Sequence, residues 1–105
     1  MHDPLECILG LARKCGKLVP GFDEVANSVS TRRAKLVLVA GDTAERSARN
    51  IRRICESAGV PVYDIQQDKI TIGHAIGMPP TGIISLTDVG FANKARLLVH
   101  DNKEG

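Results

Sequence analysis

A chain of 105 residues and 11.3 kDa has room for one hydrophobic core, so residues 1–105 read as a single domain. With 43% hydrophobic and 25% charged residues it has the composition of an ordinary folded protein, and no apolar run approaches the roughly 18 residues that a membrane-spanning helix needs. The net charge of +2 divides unevenly, with ten Lys/Arg against seven Asp/Glu in residues 1–59 and four against five in residues 60–105, which points mildly to an anionic partner for the first half.

The chain opens on Met1-His2-Asp3-Pro4, without the basic and apolar regions of a signal peptide, and is expected in the cytoplasm, away from membranes. Residues 4–15 predict a helix: Leu5, Ile8, Leu9, Ala12 and Cys15 fall on one stripe, and Pro4 suits a first turn. A Pro20-Gly21 turn then feeds a second, short helix with Phe22, Val25, Ala26 and Val29 on its inner face. Leu36-Val37-Leu38-Val39-Ala40 is a continuous apolar run, as expected of a strand covered on both faces. The third helix is the clearest, with Ala44, Ala48, Ile51, Cys55 and Ala58 at helical spacing. Asp42 is placed to cap it with Glu45 three residues on, and Gly59 to end it.

A second strand is expected over Val60–Ile65, with Pro61 at its start. Asp68 to Gly77 is ambiguous: Ile70, Thr71 and Ile72 favour strand, while Ile72, Ala75 and Ile76 fit a short helix face. Gly82–Thr87 is the third strand, and residues 88–99 form a last helix with Asp88 as its cap and Phe91, Ala95 and Leu98 inward. Strands alternating with helices imply an α/β protein, a three-layer α/β/α sandwich around a small parallel or mixed sheet.

Nothing in the sequence asks for catalysis. Cys15 and Cys55 sit on apolar stripes and read as core residues, whereas Cys7 lies off its stripe. Three cysteines without a C-x-x-C pair suit neither a disulfide framework nor a zinc site, and His2, His74 and His100 are too scattered for a ligand set. Asp23 and Glu24 are adjacent, so on a helix they diverge by about 100° instead of forming a facing acid/base pair. The glycines of Gly73-His74-Ala75-Ile76-Gly77 lack the spacing of a phosphate loop. The chain reads as a non-enzyme with no metal or cofactor.

Binding signals are stronger. Arg46, Arg49 and Arg53 lie together opposite the apolar stripe of the third helix, with Arg52 at the flank, as a set of forked donors for phosphate or simply a solvated face. Arg13-Lys14 with Lys17, and Arg32-Arg33 with Lys35, add cations near helix ends, where they also complement the helix dipole. The Pro20-Gly21 turn presents the unpaired N–H groups of the second helix, a geometry that suits phosphate. Phe22, Tyr63 and Phe91 are the only aromatics, too few for a base-stacking platform.

The run Leu9-Gly10-Leu11-Ala12-Arg13-Lys14-Cys15-Gly16-Lys17-Leu18-Val19-Pro20-Gly21 resembles the opening of the kink-turn-binding ribosomal-protein family, typified by the archaeal large-subunit protein L-seven-Ae. Ala34 to Asp42, Gly59-Val60-Pro61-Val62 and Ile72-Gly73-His74-Ala75-Ile76-Gly77 agree in order, and Leu86-Thr87-Asp88-Val89-Gly90-Phe91-Ala92 is closest to the bacterial YlxQ-type branch. The resemblance spans roughly residues 5–98. It implies the sandwich fold, a helix over the ambiguous segment, and recognition of a bent RNA with tandem sheared G·A pairs by the start of the second helix and the loop before the last strand.

Carried over residue by residue, the resemblance assigns Gly21 to close backbone approach and Glu24 to accepting guanine N–H groups. Asp23 takes the place of a family asparagine, Asn27 of a phosphate-binding lysine, Gly41 of an acidic side chain and Pro80 of a basic one. Lys69 matches a phosphate-contacting position, and Met78, Pro80 and Ile83 fall in a loop that packs on a flipped-out nucleotide. Lys17, Arg32 and Arg33 complete the expected RNA-contacting set. The expected partners are structured RNA, ribosomal RNA included, and translation-machinery proteins, bound by a monomer. The alternative is a protein–protein adaptor that keeps the fold and uses the apolar Met78-Pro79-Pro80 loop as its partner site.

Overall fold

The computed structural model describes residues 3–104, with side chains described through residue 99. Nine elements follow in order: α1 (Pro4–Lys14), β1 (Leu18–Pro20), α2 (Phe22–Ser30), β2 (Leu36–Val39), α3 (Glu45–Ala58), β3 (Val62–Asp64), α4 (Lys69–Ile76), β4 (Ile83–Leu86) and α5 (Val89–Glu104). The strands form one mixed sheet in the order β1-β4-β2-β3. β4 runs antiparallel to both neighbours, and β2 and β3 are parallel.

Alternation along the strands builds the two faces of the sandwich. Leu36, Leu38, Ile84 and Leu86 turn to one side, where they join Leu5 and Leu9 of α1, Ile72 and Ile76 of α4, and Ala92, Ala95 and Val99 of α5. Val37, Val39 and Ile83 turn to the other and meet Val25 and Val29 of α2 and Ala48, Ile51 and Cys55 of α3. Burying such side chains contributes about 1.5–3 kcal/mol each, so the patterned faces fix which helices lie on which side. Ser85 faces α2 as well, and its hydroxyl shares a 2.9 Å hydrogen bond with that of Ser28, which also donates to the Val25 carbonyl at 2.7 Å.

The expected α/β/α sandwich with its small mixed sheet is thus present, and the ambiguous segment is a helix. Asp68 caps α4 by accepting from the Thr71 N–H at 2.7 Å, and Gly77 ends it in the left-handed region at φ 70°. Gly59 ends α3 as expected, at φ 72°, and Asp88 caps α5 through the Phe91 N–H at 3.0 Å. Residue 88 itself precedes the helix, which continues past the expected end at residue 99.

Three expectations are corrected. Leu18–Pro20, where no strand is expected and Pro20 is assigned to the Pro20-Gly21 turn, is a fourth strand, because β4 offers it a free edge: Leu18 pairs with Leu86 and Pro20 with Ile84. Cys15 is exposed, not buried, because α1 stops at Lys14. Cys15 only caps it before the chain reverses at Gly16, φ 71°, and the Lys17 N–H returns to the Ala12 carbonyl at 2.8 Å. Asp42 does not cap α3, whose N-cap is Ala44 without a side-chain bond. The Gly41 N–H donates to the Gln67 carbonyl at 3.0 Å, which holds this loop against the start of α4, and Asp42 accepts from the Lys69 N–H at 2.8 Å instead. Cys7 is exposed and Cys55 buried, as expected. His74 is exposed on α4, whereas His2 and the side chain of His100 lie outside the described residues.

Candidate nucleic-acid interface

At one end of the sheet, where β1 finishes and β4 begins, a cleft of about 430 Å³ opens. One wall is Pro20, Gly21 and Phe22; the other is the loop from Met78 to Gly82, with Lys69 behind it and Thr43, Ala44 and Ser47 closing the side. The Gly21 N–H donates to the Ile83 carbonyl at 2.8 Å, which locks the start of α2 to β4. Gly21 has φ 94° and ψ 147°, a conformation that side-chain-bearing residues rarely adopt. No side chain caps α2, so the N–H groups of its first turn stay available for an acceptor at the rim.

The loop wall is built to hold its shape. The Met78 N–H donates to the Gly73 carbonyl at 2.8 Å, and the Thr81 N–H to the Lys69 carbonyl at 3.0 Å. The Thr81 hydroxyl donates to the Pro79 carbonyl at 2.8 Å. Gly73 makes the packing possible, since a Cβ there would fall 2.5 Å from the Pro79 carbonyl oxygen. Thr43 donates to the Gly82 carbonyl at 3.0 Å, and the alkyl chain of Lys69 crosses close to Gly82. Met78 is half-buried against the core, whereas Pro79 and Pro80 are exposed.

Of the residues predicted to bind, Gly21, Lys69, Met78, Pro80 and Ile83 line this cleft. Ile83 belongs to β4, not to the loop, and is only 4% exposed, so it forms the floor. Asp23, Glu24 and Asn27 are exposed on α2, with Asp23 and Glu24 in its first turn and Asn27 one turn after Asp23. Asp23 and Glu24 form no ion pair or side-chain hydrogen bond among the described residues, whereas the carboxylates of Asp42 and Asp68 are engaged at the start of α4. The Thr71 backbone N–H holds the Asp68 carboxyl below its ordinary range.

Lys17, Arg32 and Arg33 are not brought to the cleft; they stand at the opposite end of the sheet. Arg46, Arg49 and Arg53 are exposed on α3 and none lines the cleft. Arg49 pairs with Glu45 at 3.1 Å, and Arg52 with Asp64 of β3. Sequence reasoning missed Thr43, Ser47 and Gly82. The polar Gly41-Asp42-Thr43 run after β2 was their signal, and reading Asp42 as a helix cap obscured it.

Over residues 4–96 the sequence matches the ribosomal protein L7Ae/L30e/S12e/Gadd45 family. The chain belongs to that family. It is 36% identical to the RNA-binding protein YlxQ of Bacillus subtilis over 87 residues, which cover 83% of this chain and 86% of that protein. Against the large ribosomal subunit protein eL30 of Pyrobaculum islandicum it is 29% identical over 93 residues, 88% of this chain and 92% of the relative. Two solved structures superpose closely. A Bacillus halodurans protein, described as of unknown function, has a TM-score of 0.88 at 25% identity, over 94% of this chain and 99% of that one. The Giardia lamblia 15.5kD RNA binding protein has a TM-score of 0.76 at 23% identity, over 95% and 85%, a likeness of fold. The similarity to YlxQ agrees with the bacterial branch that the Leu86-to-Ala92 ending resembles.

Proposed function

We propose that this chain is a non-enzymatic binder of structured, kink-turn-like RNA that works with the translation machinery, and that the cleft beside α2 is its reading site. The observation that carries the reading is the meeting of the uncapped α2 N-terminus at Gly21 with Lys69 and the Met78–Pro80 loop around one cleft, in a chain of this family. Backbone N–H groups and Lys69 suit phosphate, Glu24 suits guanine N–H donors, and the apolar loop suits an unstacked base. Arg46 and Arg53, exposed and without an ion-pair partner among the described residues, supply further phosphate contacts on α3.

The test acts where the family pattern changes. Asp23→Asn restores an amide that both donates and accepts beside Glu24, and Asn27→Lys places a cation on the same face one turn later. The double change should tighten binding to a kink-turn RNA by about 1–3 kcal/mol. An RNA with its G·A pairs disrupted should gain less, through charge alone. Gel shifts at two salt concentrations separate the terms. Equal gain for both RNAs would show generic electrostatics and end the kink-turn reading, and binding by neither would favour the adaptor.

A further inference from the structure

The charges of this chain are segregated along the strand direction. The cleft end carries Asp23, Glu24, Asp42, Glu45 and Asp68 with Arg46 and Lys69. At the other end, where β4 runs out, the Lys35 N–H donates to the Leu86 carbonyl at 2.8 Å and the Thr87 N–H donates to the Lys17 carbonyl at 3.0 Å. Lys17 and Lys35 therefore flank the end of β4 on its two sides, about 10 Å apart at the backbone. Arg32 and Arg33 follow α2 directly and are tied back to it, the Arg33 N–H donating to the Ser28 carbonyl at 2.9 Å. Lys14 closes α1 at the same end. All five side chains are exposed and none makes an ion pair among the described residues; Arg33 donates only to the Thr31 hydroxyl, at 3.2 Å.

Two acids share this end, and one of them, Asp88, is engaged as the cap of α5. Glu56 lies on the outer face of α3 among Arg49, Arg52 and Arg53. Helix dipoles account for Lys14, in the last turn of α1, but the last turns of α2 and α3 hold no basic residue. Lys17, Arg32, Arg33 and Lys35 follow the last turns of α1 and α2, so the dipoles of those two helices account for only part of a cluster of four cations. Arg32 sits at φ 63°, where glycine is the ordinary occupant, and among the described residues no other non-glycine has a positive φ.

We propose that this basic pole is a second RNA-contacting surface, a grip on the A-form phosphate backbone outside the segment read in the cleft. It rests on the RNA-binding reading above. The four residues of β4 span about 13 Å, so with side chains the two surfaces occupy opposite ends of a molecule of 37 × 29 × 27 Å. Exposed, unpaired cations hold phosphate without reading sequence, which complements a cleft lined by a single cation, Lys69, with the carboxylates of Asp23 and Glu24 beside it on α2.

The test is a set of anisotropy titrations over a salt series, with the full chain, a loop-free RNA duplex of about 16 base pairs, and kink-turn RNAs with and without their G·A pairs. Lys17→Gln, Arg33→Gln and Lys35→Gln together should weaken binding to every RNA by roughly 10- to 100-fold near 0.1 M salt, and flatten the slope of log K against log salt by about two to three. The preference for intact G·A pairs should persist. Lys17→Gln alone should flatten the slope by about one. Glu24→Gln with Lys69→Gln should instead erase that preference and leave duplex binding in place. A wild-type slope in the triple variant, with the cleft variant still losing its preference, overturns the basic pole and spares the cleft. Loss in the triple variant with the preference untouched in the cleft variant supports the pole and overturns the cleft. Failure of the wild-type chain to bind any of the RNAs overturns both.

Discussion

Cys55 lies on the inner face of α3 with no exposure, and burial, with the Glu56 carboxylate beside it, pushes its thiol up to about 11. The folded chain holds this proton more tightly than the unfolded one, whose thiol titrates near 9.0. Its contribution to stability is therefore whole below pH 9.0 and declines as the pH rises toward 11. A maleimide should label Cys7 and Cys15 in the native protein and spare Cys55 until the chain unfolds; equal rates for all three would refute the packing of α3. The serine pair gives an asymmetric result. Ser85→Ala leaves Ser28 bonded to the Val25 carbonyl and should cost about 1 kcal/mol or less, whereas Ser28→Ala strands the buried Ser85 hydroxyl and should cost about 1–3 kcal/mol by urea denaturation. Cys15 shows what periodicity alone misses: the stripe continues through it, but the helix does not.

At the scale of elements, the loop wall of the cleft depends on α4. Gly73→Ala would drive a methyl group into the Met78 and Pro79 carbonyls, so it should displace the loop, destabilise the fold by about 1–3 kcal/mol and weaken kink-turn RNA binding more than duplex binding. Thermal melts and titrations on the same variant measure the two effects; an unchanged loop-dependent preference would detach the loop from recognition. The long elements were legible because their patterns are strong: the four buried residues of β2, and Ala48, Ile51 and Cys55 on α3. β1 was not, since Leu18-Val19-Pro20 is too short to alternate and is a strand only because β4 pairs with it. Residues alone left α4 open between helix and strand; family resemblance favoured the helix, and the Asp68 cap and Gly77 stop show how it is bounded. Half of the candidate site was visible as a turn feeding a helix. The division of cations between two ends was not, because it depends on the directions of β1 and β4, which no local pattern records.

For the whole molecule, the same directions create an electrical polarity. Gly21 and Lys69 lie with a group of carboxylates, and the first-half cations counted in the sequence collect largely at the other end and along α3. A net charge of +2 thus understates the field that a phosphate chain meets on approaching one end, and overstates it at the other. Restoring an acidic side chain at Gly41 would also meet a steric limit, because a Cβ there lies 3.2 Å from the Ile65 carbonyl oxygen. The absence of a side chain at that position therefore suits the close approach of the two loops.

The sheet ends on both sides in strands of three residues. Pro20, without an N–H to donate, closes β1, and Pro61 immediately precedes β3, whose Asp64 is held by Arg52. A newcomer strand would find too short a ladder to dock on, with a donor missing from one rim and a charged pair fastened across the other. Crowding should therefore not turn this fold into a seed for strand exchange or fibrils. Sedimentation across a hundredfold range of concentration, roughly 2.7 kcal/mol in chemical potential, should return the mass of a single chain at every point. A mass that climbs with concentration would show that some other face, not the sheet rim, joins the copies.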